Sequence, residues 1–239
     1  MKVLESKPFR FKQFEVTQSR SAMKVGTDGV LLAAWAHVEN ATHILDAGTG
    51  TGVIALICAQ RNQTAQVEAI EIDSGSAQDA RENFAASPWS DRLRLHEGDY
   101  LRIARGQTFD LIISNPPYFS DSLRAINPSR SAARHDDSLP APAFMLKSYQ
   151  LLSKTGKIAV IFPKTQLEKW SGEAARFDFY PERICHVFTL ATKDSSRVMV
   201  EFSHLHPVEP KMESILIEKS PGQWSEAYKE LMRDYFTKL

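Results

Sequence analysis

The sequence predicts an α/β protein, built on an open, doubly wound, mostly parallel sheet with helices on both faces. Three observations predict it. Phe109, Leu111, Ile112 and Ile113 form a short apolar run of the kind a strand buried on both faces needs. Gly48-Thr-Gly-Thr-Gly52 is a tight turn that follows the strand-like Ile44-Leu45 and opens a segment with helical spacing. Strand-like and helix-like stretches alternate along the rest of the chain, as βαβ units do. Open sheets of this kind bind ligands at the carboxyl ends of their strands.

The 239 residues show no repeat, no low-complexity stretch and no linker. They read as one domain, 1–239, with 1–25 as an N-terminal extension. In that extension Phe9-Arg-Phe11 and Phe14-Glu-Val16 alternate apolar and polar side chains across a slip at Lys12-Gln13, the pattern of a hairpin or bulged strand. No apolar stretch is long enough to span a bilayer, and the first residues lack a signal-peptide core. Cys58 and Cys185 are far apart in apolar surroundings, which fits reduced core thiols of a cytoplasmic protein and excludes a disulfide framework. His204-x-His206 has no third ligand in view, so no metal is expected.

Next comes Lys24-Val-Gly-Thr-Asp28, where Thr27 or Asp28 is suited to cap a helix starting near Gly29. Val53, Ile54, Ile57 and Cys58 share one face of the helix after the glycine turn. Glycines at a helix amino terminus admit a ligand to the backbone. The spacing is G-x-G-x-G, not the dinucleotide G-x-G-x-x-G, and Asp46 stands two residues before the first glycine. A carboxylate there would repel a pyrophosphate and suit an ammonium group, which points to S-adenosyl-L-methionine.

Gln66–Glu71 reads as the second strand, and its end is where βαβ nucleotide sites place an acid for the ribose hydroxyls. Glu71 is the first choice; Asp73 equally suits a cap for the helix from about Gly75 to Phe84. Arg92–His96 alternates as a third strand and leads to Asp99 and Tyr100, where an aspartate can accept from an adenine amino group or close a turn.

The apolar run at 109–113 ends in Asn115-Pro116-Pro117-Tyr118. Two prolines restrict the backbone around Asn115 to extended conformations just past a strand's carboxyl end. Two acceptors there, the Asn115 side-chain oxygen and the Pro116 carbonyl, suit methyl transfer to a planar NH₂. They would favour a pyramidal nitrogen whose lone pair faces an electrophilic methyl, while Tyr118 offers a face for stacking. The polar segment from Phe119 to Leu139 is long for a loop and follows this site directly, so it is expected to cover substrate. Further on, a helix from Pro142, a strand at Lys157–Phe162, a helix at 165–176, strands at Ile184–Leu190, Arg197–His204 and Ser214–Glu218, and a closing helix at Trp224–Phe236 complete the pattern.

Formal net charge is zero, but the charge is segregated. Residues 1–24 and 101–135 are rich in Lys and Arg, whereas 66–99 holds eight carboxylates against three arginines. Both basic stretches are expected to border the site, an arrangement compatible with a polyanionic partner.

Asp46-Ala-Gly-Thr-Gly-Thr-Gly52, Glu71, Asp99 and Asn115-Pro-Pro-Tyr118 stand in the order found in class I S-adenosylmethionine-dependent methyltransferases of the amino-methylating branch. Phe14-Glu-Val-Thr-Gln18, Lys24-Val-Gly-Thr-Asp-Gly-Val-Leu-Leu32 and Ala133-Arg-His-Asp136 extend the likeness, and nearly the whole chain resembles the bacterial tRNA(Val) adenine-37 N6-methyltransferases. The resemblance implies a seven-stranded sheet with its last strand antiparallel. It implies a cofactor pocket of Asp46, Gly48, Thr49, Gly50, Gly52, Glu71, Ile72, Asp99, Tyr100 and Asn115, with the glycines around the methionine tail, Glu71 on the ribose and Asp99 on the adenine. Asn115, Pro116, Pro117 and Tyr118 would hold the target base. Arg10, Lys12, Lys24, Arg134 and His135 are candidates for contacting tRNA, and a monomer is expected. The protein-glutamine N5-methyltransferases of release factors also resemble Asn-Pro-Pro-Tyr, but they usually carry a helical domain for which Asp46 comes too early. A non-catalytic RNA-binding scaffold would not need the fixed acceptor pair at Asn115.

Overall fold

The computed structural model of the protein describes residues 7–104, 106–117 and 139–238. Strands β1 (Phe9–Arg10) and β2 (Glu15–Val16) form an antiparallel hairpin of their own. The main sheet comprises β3 (His43–Ala47), β4 (Gln66–Glu71), β5 (Leu93–Glu97), β6 (Phe109–Ser114), β7 (Leu152–Pro163), β8 (Tyr180–Leu190), β9 (Arg197–Ser203), β10 (Lys211–Ser220) and β11 (Gln223–Trp224). Their spatial order is β11-β10-β8-β9-β7-β6-β3-β4-β5. The helices are α1 (Thr27–Trp35), α2 (Val53–Arg61), α3 (Ser74–Ala86), α4 (Ala141–Leu151), α5 (Leu167–Ala175) and α6 (Glu226–Met232).

Strands β3 to β7 are parallel, and β9 runs antiparallel between β7 and β8. These seven strands match the expected sheet, including its antiparallel last strand. Two more extend it: β10 pairs parallel with β8 from Arg183 to Leu190, and β11 folds back on β10. They cover the long outer edge of β8, which would otherwise expose unpaired backbone.

Alternate residues of each central strand feed two cores. Ile44, Leu111, Ile113 and Ile161 pack on the face of α1, α2 and α6. Leu45, Ile112, Ile158 and Phe162 pack on the face of α4 and α5. The chain moves outward from β3 through β4 to β5, then returns to place β6 on the other side of β3. The strand order therefore reverses between β3 and β6, and a crevice opens above their carboxyl ends.

Helix α1 starts at Thr27, two residues earlier than the sequence suggests. Its N-cap is Gly26, and neither Thr27 nor Asp28 caps it through a side chain. The extension reaches it along α3. Asn83 accepts from Thr17 N at 2.8 Å and donates to Thr17 O at 2.8 Å, and buried Asp79 accepts from Arg20 N at 2.9 Å and Ser21 N at 2.8 Å.

Candidate active site

The glycine turn is sewn to β4. Gly48 N and Thr49 N both donate to Ile70 O, at 2.9 and 3.0 Å, and Gly50 N donates to Glu71 Oε2 at 2.7 Å. Gly48 and Gly50 have φ of +76° and +58°, a region that side chains rarely adopt. A Cβ on either would meet nothing within 4 Å, so the turn presents bare backbone to open space. Gly52 (φ +87°) is different, because a Cβ there would come within 2.6 Å of the Phe84 ring.

Asp46 is fully buried beneath this turn. Its Oδ2 accepts from the Thr49 hydroxyl and, at 3.1 Å, from Ala55 N, whereas its Oδ1 has no hydrogen-bond partner. Burial, with a smaller contribution from the Glu71 charge, pushes its pKa up to about 7. Glu71 is also buried, and burial raises its pKa too, against the backbone amides of Asp73 and Gly50 that its two oxygens accept from. Two adjacent buried carboxylates, one with an orphaned oxygen, are an environment that a cation would stabilise. The donor set and the open glycine backbone fit a ligand carrying an ammonium group.

Asp73 caps α3, accepting from Ser76 N at 2.8 Å, while Glu71 faces the glycine turn. Next to them Ile72 is 53% exposed, an apolar wall at the rim. Asp99 Oδ1 accepts from Leu101 N at 2.8 Å, closing the 3-10 turn Tyr100–Arg102, and its Oδ2 lies 3.4 Å from Arg102 Nε. The Tyr100 side chain turns into the core, stacking on Phe144 and bonding Ser148 Oγ at 2.8 Å, so only its backbone remains at the rim.

Across the crevice, Ser114 Oγ donates to Ala47 O at 2.7 Å and ties the end of β6 to the end of β3. Asn115 and buried Pro116 follow directly. The first turn of α1 backs Asn115: a Cβ on Gly29 would lie 3.8 Å from Asn115 Nδ2 and 3.5 Å from Ile54 Cγ1. Asp28, beside it, pairs with Arg197 Nε at 3.0 Å, linking α1 to the start of β9. The sequence reading gave Asp28 only a capping role and missed Arg197; its signal was a carboxylate in a first turn with no cap to make.

The basic N-terminal stretch does not border the site as a whole. Lys24, just before α1, donates to the carbonyls of Gln18 and Ser21. Arg10 and Lys12 sit at the opposite, amino-terminal edge of the sheet. Arg10 pairs with Glu15 at 3.0 Å, and Lys12 N donates to Tyr235 O at 2.8 Å. The adjoining Asp234 O accepts from Gln60 in the last turn of α2, which fixes that location. The reason is the aromatic contact of Phe11 with Phe236 and of Phe14 with Trp89, which anchors the hairpin there. Tyr118, Arg134 and His135 lie outside the described residues. His204 and His206 both engage Asp178, at 2.9 and 3.1 Å. Among the described residues no group of three His, Cys, Asp or Glu could hold a metal ion, and no helix is long and apolar enough to cross a membrane.

Comparison with known proteins bears on this arrangement. A methyltransferase small domain model matches residues 17–168. A Bacteroides thetaiotaomicron protein named tRNA1(Val) (adenine(37)-N6)-methyltransferase is 42% identical over 97% of this chain and 98% of its own. A Vibrio vulnificus protein of the same name is 37% identical over 99% and 98%. Among solved structures, a predicted O-methyltransferase from Agrobacterium tumefaciens aligns with TM-score 0.69 and 18% identity, covering 87% of this chain and 96% of that one, a likeness of fold. The methyltransferase family matched here implies S-adenosylmethionine as methyl donor, in agreement with the buried carboxylates beneath the glycine turn. The chain is thus a methyltransferase small domain protein, and it belongs to the family of relatives named tRNA1(Val) (adenine(37)-N6)-methyltransferase.

Proposed function

We propose that the chain methylates the exocyclic N6 of an adenine in tRNA, adenine-37 of tRNA(Val), as a single cytoplasmic domain working as a monomer. The observation that carries this reading is that Asn115 and Pro116 follow the end of β6 at the strand-order reversal, beside β3, whose glycine turn is tied to Glu71. The names and near-complete alignment of the relatives support the RNA target.

When bound, S-adenosylmethionine supplies an electrophilic methyl on a sulfonium. Asp46, buried beneath the turn, would favour its ammonium by charge, the open backbone of Gly48 and Gly50, in a turn shaped by Thr49 and Gly52, would admit its methionine tail, and Glu71 would accept from its ribose. Ile72 would pack on the adenine, and Asp99 with the Tyr100 backbone would accept from and donate to the adenine edge. Opposite, the Asn115 Oδ1 and the Pro116 carbonyl accept from the two hydrogens of the target NH₂. That would free the nitrogen lone pair, and the positive charge that develops on nitrogen would strengthen both bonds. As the N–CH₃ bond forms, the methyl–sulfur bond would break to leave a neutral thioether, and N6 would then lose one proton to water. On this reading Tyr118 would stack on the extruded base, and Pro117 would stiffen the loop.

The test is incubation with labelled S-adenosylmethionine and unmodified tRNA(Val), followed by nucleoside analysis. N6-methyladenosine at position 37 is the expected product. Label in protein glutamine instead of RNA would overturn the reading.

A further inference from the structure

The carboxyl edge of the sheet is split by charge. Over β3, β4 and β5 it carries buried Asp46 and Glu71, Asp73, and Glu97 and Asp99, which pair with Arg81 and Arg102. On the other side of Asn115 the edge is a raised wall. Strand β7 pairs with Ser114 at Val160 but continues to Pro163, where it pairs with Arg197 of β9. Exposed Lys164 stands on this wall, its N–H donating to Ser196 O at 3.1 Å. Exposed Lys193 projects from the β8–β9 turn beside it, next to Asp194. Neither lysine is in an ion pair among the described residues. Arg197 is half-buried, and Asp28 fixes the orientation of its guanidinium.

We infer that Lys164, Lys193 and Arg197 form the surface that grips the tRNA backbone beside the target nucleotide. The inference rests on the RNA reading above. With the cofactor over the acidic half, a strand presenting its base to Asn115 must cross the β7–β9 half. There, cations displace counterions from phosphates. The oriented guanidinium adds directional hydrogen bonding that a lysine lacks.

The experiment measures affinity for unmodified tRNA(Val) as a function of salt, in the full-length protein. Lys164→Gln with Lys193→Gln should lower the slope of log affinity against log salt by about 1.5, given roughly 0.7–0.9 per phosphate contact, and leave S-adenosylmethionine affinity unchanged. Arg10→Gln with Lys12→Gln, at the far edge, should leave the slope as in the unaltered protein. An unchanged slope for the lysine pair, or equal flattening by the far-edge pair, in a protein that still methylates tRNA, overturns this surface alone. Unaltered protein that neither binds nor methylates tRNA overturns the RNA reading and this surface together.

Discussion

Gly50 N donates to Glu71 Oε2 at 2.7 Å, so the glycine turn and the acid that ends β4 act as one unit. Glu71→Ala should therefore do two things at once. It removes a charged acceptor for the ribose, worth about 1.5–3 kcal/mol, and it frees the Gly50 amide. Calorimetric titration should show at least a roughly tenfold loss of S-adenosylmethionine affinity, with the far-UV circular dichroism unchanged. Full affinity in the variant would move the ribose contact elsewhere.

Asp46 supplies a pH dependence. Its pKa of about 7 in the folded, cofactor-free protein stands well above its ordinary value, so the fold holds a proton that the unfolded chain releases. Stability then falls as pH rises from about 4 to about 7 and is level above that. Cofactor binding has the opposite sign, because an ammonium favours the ionised carboxylate. Affinity should rise with pH up to about 7, before an α-amino group of pKa about 7.7–8.0 begins to lose its own charge. Asp46→Asn should abolish the rise and weaken binding at pH 7. A variant with the same pH profile as the unaltered protein would sink the ammonium assignment.

Gly52 and Gly48 should respond differently to alanine. Gly52→Ala combines left-handed strain with a Cβ 2.6 Å from Phe84, a cost of roughly 2–4 kcal/mol. A chain of this size should lose about 2–4 °C in melting temperature for each kcal/mol. Gly48→Ala meets no atom within 4 Å, so its cost is the strain alone, about 1–2 kcal/mol, and its main effect should be lost cofactor affinity where the methyl fills the cradle. Thermal denaturation and calorimetry together check this; a larger stability loss in Gly48→Ala than in Gly52→Ala would reverse the assignment.

Much of this was legible in the sequence because each feature rests on a local signal. The apolar run before Asn115, the glycines after Leu45 and the acid ending β4 mark three carboxyl ends of parallel strands, and the topology brings such ends together. What was not legible depends on long-range contacts. Asp28 and Arg197 are far apart in the chain, and no spacing rule joins the first turn of a helix to a strand beyond β8. The place of Arg10 and Lys12 is set by ring contacts of Phe11 and Phe14 with Phe236 and Trp89, so their charge alone pointed to the wrong edge. The inward turn of the Tyr100 ring was not legible for a related reason. Its neighbour Asp99 stays at the rim, but the 3-10 turn swings the ring under α4.

Asn115 is the residue on which the proposed chemistry turns. It stands one residue past Ser114, whose hydroxyl anchors β6 to Ala47, and against Gly29 in the first turn of α1. Such support limits the motion of the acceptor, and a pre-positioned dipole aids a reaction without reorganising. The value of an acceptor at the target NH₂ grows as the nitrogen becomes pyramidal, so its loss should register in the rate and not in ground-state binding. Asn115→Ala should lower single-turnover methylation of tRNA by roughly 10²-fold or more, by analogy with the loss of an oxyanion-hole donor. Affinities for tRNA and S-adenosylmethionine should change little. Gly29→Ala offers a milder version of the same test, since its methyl enters ordinary contact with Ile54 and the Asn115 amide without a clash. It should slow methylation less than Asn115→Ala and leave both affinities in place. If Asn115→Ala methylates at the unaltered rate, or fails only because it no longer binds tRNA, the acceptor role assigned to Asn115 is wrong.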